Sequence, residues 1–223
     1  MAYILNIETS TTNCSVSLSN KGETVILKED YNNNYSHAER LHVYIDDVLK
    51  KANVSLSDIK AIAVSKGPGS YTGLRIGVSA AKGLCFALNI PLIAVSTLEA
   101  LAHQVITETG MIIPMLDARR MEVYSAVFDS NYNQIRDTKA QILESTSFKD
   151  YLEERKVYFI GNGVAKTKEL IAHSNAIFIE GKLPSANEMS QLAYQKYKIS
   201  NIEDVAYFEP YYLKDFIALK PKT

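Results

Sequence analysis

Residues 61–88 read AIAVSKGPGSYTGLRIGVSAAKGLCFAL and are the most informative stretch of the chain. The apolar run Ala61–Val64 predicts a buried strand, and the Gly-Pro-Gly sequence at residues 67–69 predicts a tight turn. From about Thr72 the pattern becomes helical and continues to Leu88. The stretch therefore predicts a strand, a turn and a helix in direct succession.

The predicted helix is unusually rich in small residues. They recur at every fourth position, at Gly73, Gly77, Ala81 and Cys85, and so form a stripe along one face of the helix. The neighbouring faces also carry small side chains, at Ser79, Ala80 and Gly83. An interior glycine costs about 1 kcal/mol relative to alanine, so close packing must offset this loss. We expect another backbone to approach the glycine stripe, belonging either to a neighbouring helix or to another chain.

A glycine-rich turn before a helix is also where phosphate-binding loops occur. The dinucleotide motif requires a glycine where Thr72 stands, and a P-loop requires Lys and then Ser or Thr where Leu74 and Arg75 stand. Pro68 also lacks the N–H that a phosphate cradle would use. The spacing therefore favours a packing role over phosphate binding.

Composition narrows the class of protein. The 223 residues are long enough for one large domain or two small lobes. The net charge of −1, without blocks of like charge, excludes an autonomous nucleic-acid binder of the basic kind. Neither a signal peptide nor a membrane span fits the sequence, so we expect a cytoplasmic protein. There, Cys14 and Cys85 would be buried reduced thiols, with a disulfide as the alternative.

The chain reads as two halves with the same order of elements. Strands are predicted at Tyr3–Ile7, Ser15–Ser19 (half-buried) and Thr24–Glu29, a helix from the Ser36 capping box to Ala52, then the central strand and helix, a strand at Leu92–Val95 and a helix from Ser96 to about Thr109. The second set comprises strands at Met111–Leu116, at Glu122–Phe128 and up to about Leu143, a helix at Phe148–Arg155, a strand at Val157–Ile160, a helix at Lys166–Ala172, a strand at Ile177–Ile179 and a helix from Ser185 to about Lys198. This repetition predicts an α/β fold of two similar lobes, residues 1–109 and 110–223, with an aromatic tail that packs back.

Carboxylates end the first strand of each half, at Glu8 and at Asp117. This arrangement resembles the superfamily of actin, the heat-shock chaperone ATPases and the sugar kinases, in which each lobe has a mixed sheet flanked by helices. The resemblance implies that acids at these two points face across an interlobe cleft and hold a metal nucleotide. The turn after Glu8 lacks a glycine, however, and an ordinary turn explains Gly161 and Gly163 as well as an adenosine-binding loop does. We therefore predict a degenerate cleft at these four residues.

Three further motifs resemble one family. The sequence KGPGSYTGLRIG at residues 66–77, DARR at 117–120 with EVY at 122–124, and Pro210 with YLK at 212–214 are similar to motifs of the TsaB (YeaZ) family. The resemblance implies a non-catalytic subunit that dimerises with TsaD through its first two helices and joins the ATPase TsaE. The complex would transfer a threonylcarbamoyl group to the tRNA adenosine just 3′ of the anticodon. ATP and metal would belong to the partners, so no cofactor is expected here, and tRNA would be met only within the complex.

The predicted partner interface lies on the first two helices. Val43 and Tyr44 lie off the main apolar stripe of the first helix and give it a second, weaker apolar surface. We expect the contacts to come from His37, Leu41, Tyr44, Val48, Gly73, Gly77 and Ala80. TsaD is expected to carry a His-x-x-x-His pair on the corresponding helix, whereas Leu41 stands at the second position here. A metal site is therefore not expected.

Two other functions remain open at this stage. The first is a stand-alone ATP-dependent kinase or carbamoyltransferase, which tight Mg-ATP binding by the isolated chain would indicate. The second is a homodimer with a separate binding role, which would be stable and indifferent to TsaD. Within the TsaB interpretation, a homodimer is also the alternative when TsaD is absent.

Overall fold

The computed structural model of the chain describes residues 2–31 and 37–214. The first half contains β1 (Tyr3–Glu8), β2 (Cys14–Asn20), β3 (Glu23–Asp30), α1 (His37–Ala52), a 3₁₀ turn (Leu56–Asp58), β4 (Ile59–Gly67), α2 (Tyr71–Leu88), β5 (Leu92–Ser96) and α3 (Thr97–Ala102). The second half contains β6 (Met111–Asp117), β7 (Glu122–Asp129), β8 (Gln134–Ile142), α4 (Lys149–Glu154), β9 (Val157–Ile160), α5 (Val164–Leu170), β10 (Ala176–Ile179) and α6 (Ala186–Lys198).

The strands form two five-stranded sheets of the same topology. Their orders are β3-β2-β1-β4-β5 and β8-β7-β6-β9-β10. In each sheet the first three strands of the half are antiparallel, and the later strands run parallel to the first. The predicted α/β fold with a repeated order of elements is confirmed. Because parallel strands end at the same edge, Glu8, Gly67 and Ser96 lie along one edge of the first sheet.

The last helix of each half packs against the sheet of the other half. Met189, Leu192 and Ala193 of α6 join Ile4 and Ile93 of the first sheet in one apolar cluster. Conversely, α3 packs on the second sheet, in a cluster that includes Leu98, Leu101, Ile112, Leu116 and Ile160. The two sheets are therefore tied together by exchanged helices, and a domain division between residues 109 and 110 stays a prediction.

Because α6 packs on the first sheet, the prediction that β2 is half-buried is wrong. The alternation from Ser15 to Ser19 predicts a half-buried strand, but α6 covers the serine face, and Ser15, Ser17 and Ser19 are fully buried. Ser17 Oγ donates to the Ala186 carbonyl at 2.8 Å, and Ala186 N donates to Ser15 Oγ at 2.9 Å. Buried hydroxyls are stable there because they are hydrogen-bonded. Local alternation could not reveal a helix that arrives 170 residues later.

Other boundaries differ at helix ends. Helix α3 ends at Ala102, well before the predicted Thr109, although Ser96 caps its start by accepting from Glu99 N at 3.4 Å. Helix α5 begins two residues earlier than predicted, at Val164. The predicted capping residue Ser36 lies outside the described residues.

The two thiols and the membrane prediction can be checked directly. Cys14 and Cys85 are free and buried, and burial raises their pKa values to about 11 and about 12 respectively. Within residues 2–31 and 37–214, no helix combines the length and the apolar character needed to cross a membrane.

Candidate functional site

The inner face of α2 packs against its own chain. A Cβ atom at Gly73 would overlap the Thr9 carbonyl oxygen, and one at Gly77 would overlap Thr9 Oγ1. Thr9 Oγ1 also donates to the Gly73 carbonyl at 2.8 Å. The backbone nearest to the glycine stripe therefore belongs to the turn after β1. Helix α1 lies beside it, because His37 Cδ2 would be 3.4 Å from a Cβ atom at Gly73.

Most of the residues predicted for the partner interface are buried in the chain, and the interface itself stays a prediction. Leu41 and Val48 are fully buried in the core, and His37 is buried with its Nε2 2.7 Å from the Thr11 carbonyl. Tyr44 is 9% exposed, and its hydroxyl donates to Asp30 at 3.2 Å. Tyr44 lies three residues after Leu41 and four before Val48, so it shares their face of the helix.

Of the predicted contact residues, Ala80 alone remains at the surface, because Gly73 and Gly77 are also buried. The adjacent Val43, which was predicted with Tyr44 to form a second apolar surface, is 55% exposed. The outer faces of α1 and α2 are therefore set by different residues from those that the sequence predicted.

These outer faces border a shallow, open groove of about 620 Å³. Its lining is mostly small or apolar and consists of Ala38, His42, Arg75, Ile76, Ser79, Ala80, Gly83 and Leu84. Apart from Gly83's two chain neighbours and the nearby backbone of α2, no atom of the described residues lies within 4 Å of a Cβ placed on Gly83, so the groove is open at this point. Phe86 is 85% exposed and lies three residues beyond Gly83, on the same side of the helix. The groove is thus an apolar helix surface that the described part of the chain leaves uncovered.

The sequence contained part of the signal for this groove. Ser79, Ala80 and Gly83 stand out as small residues beside the glycine stripe. Gly83 lies six residues after Gly77, which places it on a different side of the helix, whereas Ala80 lies seven residues after Gly73 and borders the stripe. His42 and Ala38 could not be assigned to the same surface, because they belong to a different helix. Their position depends on how α1 crosses α2.

Glu8 and Asp117 lie in different surroundings. Glu8 is fully buried, and its Oε1 accepts from Ser10 N at 2.6 Å and from Ser65 Oγ at 3.0 Å. Burial raises the pKa of its carboxyl, and the hydrogen bonds from Ser10 and Ser65 oppose the rise only in part. Asp117 is exposed and pairs with Lys166 Nζ at 2.9 Å. A metal nucleotide does not fit these two carboxylates, because one is enclosed by its own half and the other is already paired with a cation.

Close packing explains the two glycines after β9. Gly161 has φ 114°, and a Cβ there would overlap the Met115 carbonyl oxygen. Gly163 N donates to the same carbonyl at 3.3 Å, and a Cβ on Gly163 would lie 2.9 Å from Val123 Cγ1. Both glycines therefore let the turn before α5 pack on β6. In the described ranges, no group of three or more His, Cys, Asp or Glu side chains is placed to hold a metal ion.

The tail after α6 runs along α2 and then reaches the second sheet. Lys82 Nζ donates to the Phe208 carbonyl at 2.9 Å, and Tyr211 N donates to the Lys66 carbonyl at 2.7 Å. The Tyr212 ring lies 4.8 Å from that of Tyr71, measured between centroids. Lys214 then forms an ion pair with Glu122 at the start of β7. The tail thus connects the ends of β4 and α2 with the β6–β7 turn.

Comparison with known proteins identifies the family. A family model described as TsaD, tRNA N6-adenosine threonylcarbamoyltransferase, matches residues 32–221. The tRNA threonylcarbamoyladenosine biosynthesis protein TsaB of Escherichia coli is 32% identical, over 97% of this chain and 96% of that protein. The chain belongs to the TsaB family. TsaB of Bacillus subtilis is 34% identical, over 75% of this chain and 74% of that protein.

Solved structures agree with the TsaB assignment and with the fold class. YeaZ from Pseudomonas aeruginosa superimposes with a TM-score of 0.84 and 28% identity, covering 96% of this chain and all of that one (100%). The ethanolamine utilization protein EutJ from Carboxydothermus hydrogenoformans has a TM-score of 0.52 at 9% identity, covering 85% of this chain and 89% of that one. At this identity EutJ shows the fold alone. The predicted fold of the actin, chaperone and sugar-kinase type is confirmed.

Proposed function

We propose that the chain is the non-catalytic subunit of a bacterial tRNA N6-threonylcarbamoyladenosine complex, in which it dimerises with TsaD and activates it, with TsaE joining the larger assembly. TsaD would transfer the threonylcarbamoyl group to the adenosine 3′ of the anticodon. ATP and metal would be held by the partners, and tRNA would meet this chain only within the complex. A cytoplasmic location is part of the proposal.

The groove between α1 and α2 is the observation that carries the proposal. Exposed apolar patches of this kind mark interaction surfaces. Ala80 and Gly83 carry little or no side chain, which allows another helix to approach closely, and Ile76 and Leu84 supply apolar contacts beside them. Such a surface suits two helices of a partner, which together with α1 and α2 would form a four-helix contact.

The family comparison supports a TsaD-type partner. The model that matches this chain carries the TsaD description, so a protein of that kind has related sequence over most of this length. A related fold would offer equivalent helices to the groove. A second copy of this chain would offer them as well, and we therefore expect a homodimer to use the same surface when TsaD is absent.

A non-catalytic role agrees with the state of the two strand-end acids. A general base or metal ligand must reach its substrate, but Glu8 is enclosed by the chain and hydrogen-bonded to Ser10 and Ser65. Asp117 is exposed, but Lys166 holds its carboxylate. We propose that the chain acts on TsaD by binding its competent conformation more tightly than the others.

Gly83→Glu tests the groove. It places a charge in open space, and removing the glycine improves helix propensity, so we expect the melting temperature to stay equal or rise. Binding to TsaD, measured by analytical ultracentrifugation, should weaken by at least about tenfold, since an unpaired charge would be buried at the contact. Modification of tRNA in a mixture reconstituted from this chain, TsaD and TsaE should fall as TsaD binding weakens.

Gln195→Glu is the matched control, because it adds the same charge at an exposed position of α6. It should leave both binding and modification unchanged. Unaltered TsaD binding by a folded Gly83→Glu variant would refute the groove as the interface.

A further inference from the structure

The turn between β6 and β7 holds two arginines in a backbone conformation that arginine rarely adopts. Arg119 has φ 69° and Arg120 has φ 50°. The turn is closed by hydrogen bonds from Ala118 N to the Glu122 carbonyl at 3.0 Å and from Glu122 N to the Arg119 carbonyl at 3.2 Å. Left-handed backbone favours glycine or asparagine at both positions. Two arginines there are poor choices for the turn itself, which points to a role for their side chains.

Both guanidinium groups are exposed and uncompensated. Asp117 is paired with Lys166, and Glu122 is paired with Lys214, so the two carboxylates that flank the turn in the sequence already have cations of their own. Within the part of the chain that the structure describes, neither arginine side chain forms a hydrogen bond, an ion pair or a ring contact. The turn therefore presents two unpaired positive charges to solvent.

The tail that reaches this turn carries partly exposed aromatic rings. Lys214 joins the turn to the tail, and two residues earlier Tyr212 contacts the ring of Tyr71. The Arg75 guanidinium lies 5.2 Å from the centroid of the Tyr71 ring. Tyr211 and Tyr212 are 43% and 36% exposed. Exposed guanidinium groups and partly exposed tyrosine rings are groups that bind RNA phosphates and stack on unpaired bases.

We propose that the Arg119–Arg120 turn and the adjacent tyrosines form an RNA-contacting surface, with the two guanidinium groups on phosphates of the substrate tRNA. This inference rests on the proposed function, because that function supplies the RNA. A surface with two free cations on a chain of net charge −1 binds RNA weakly by itself. It adds to the RNA affinity of the assembled complex.

The test uses the double variant R119N/R120G in the complex with TsaD. Asparagine and glycine suit the left-handed backbone, so the variant should unfold at an equal or higher temperature than wild type. Its complex should bind unmodified tRNA about tenfold more weakly, and the slope of log affinity against log salt should fall by about 1 to 2. Fluorescence anisotropy over a series of salt concentrations measures both quantities.

The control K60Q/K156Q removes the same charge from exposed residues at the amino ends of the parallel strands, at the opposite edge of the sheets. It should leave affinity and slope unchanged. Unchanged tRNA affinity and slope for R119N/R120G would overturn the proposal. Loss of TsaD binding by R119N/R120G, with unchanged RNA binding, would also overturn it and make the turn a protein contact.

Binding of the wild-type chain to TsaD shows whether the proposed function or the RNA contact has failed. If wild type fails to bind TsaD, the proposed function fails, and the turn is then tested on the isolated chain with an unmodified anticodon stem-loop at low salt. Weaker binding by R119N/R120G than by K60Q/K156Q supports the RNA contact in that case as well, whereas equal binding overturns it.

Discussion

The inner and outer faces of α1 and α2 use the same kinds of residue for opposite purposes. Gly77 lies against Thr9, whereas Gly83, six residues later, faces open space in the groove. Tyr44 is a core residue, and the adjacent Val43 is 55% exposed. A small or apolar residue on these helices therefore indicates close packing within the chain on one face and an available surface on the other. The difference lies in what covers each face.

The neighbours Val43 and Tyr44 give the largest expected contrast. Tyr44→Asp removes a buried ring and places a carboxylate beside Asp30, so we expect it to destabilise the fold by about 4 kcal/mol. Val43→Asp should change stability by no more than about 0.5 kcal/mol, because the side chain is in solvent. Denaturant unfolding measures both. Similar losses for the two variants would show that the two faces are not distinct.

The glycines of α2 give an intermediate contrast, with opposite signs. Gly73→Ala forces its new methyl against the Thr9 carbonyl, and after the gain in helix propensity we expect a net loss of about 2 kcal/mol. Gly83→Ala meets nothing and should stabilise the chain by about 1 kcal/mol. Thermal unfolding of the two variants checks the signs. A stabilising Gly73→Ala would mean that the turn after β1 does not press on the helix.

We expect the smallest effects on stability from the acids that end β1 and β6. Glu8 is buried and Asp117 is exposed, so they compare a covered with an uncovered position on the sheets. Burial raises the pKa of Glu8 above its ordinary 4.5 in the folded state. The unfolded chain therefore loses this proton first, and stability falls as the pH rises from about 4.5 through the folded pKa. Glu8→Gln keeps an acceptor for Ser10 N and should abolish this part of the pH dependence.

Asp117 is the exposed acid to be compared with the buried Glu8. Asp117→Asn loses an ion pair with Lys166 at the surface, which is worth less than about 1 kcal/mol. Unfolding curves between about pH 4 and pH 8 compare the two variants with wild type. The ionic strength is held constant, because salt screens the surface ion pair. A wild-type pH dependence in Glu8→Gln would mean that other groups cause it. Under the proposed function, both folded variants should still support tRNA modification with TsaD.

Secondary structure was largely predictable from local patterns. The parallel strands β1, β4 and β6 are apolar along most of their length because both faces are covered, so short apolar runs located them. The repeated order of strands and helices predicted two sheets of the same topology. Family motifs at residues 66–77 and 117–124 carried the resemblance that the comparisons confirm.

The exposed faces of α1 and α2 were not predictable in the same way. Tyr44 could be placed in the core by its spacing from Leu41 and Val48, and that signal was present in the sequence. For Gly73 and Gly83 the sequence did not show which one is covered, because both are glycines on one helix. The atom that covers Gly73, the Thr9 carbonyl oxygen, comes from the turn after β1. The same applies to the serines of β2, which α6 covers from the far end of the chain.

The sequence by itself determined the elements, their order and the family, since each depends on local hydrophobic periodicity or on motifs of contiguous residues. Tertiary structure alone decided which faces of these elements are free. It closed the inner side of α2 with the Thr9 turn, covered β2 with α6, enclosed Glu8 and left the groove beside Gly83 open. The physical reason is that burial depends on contacts between residues far apart in the chain, and no local pattern encodes which distant segment arrives.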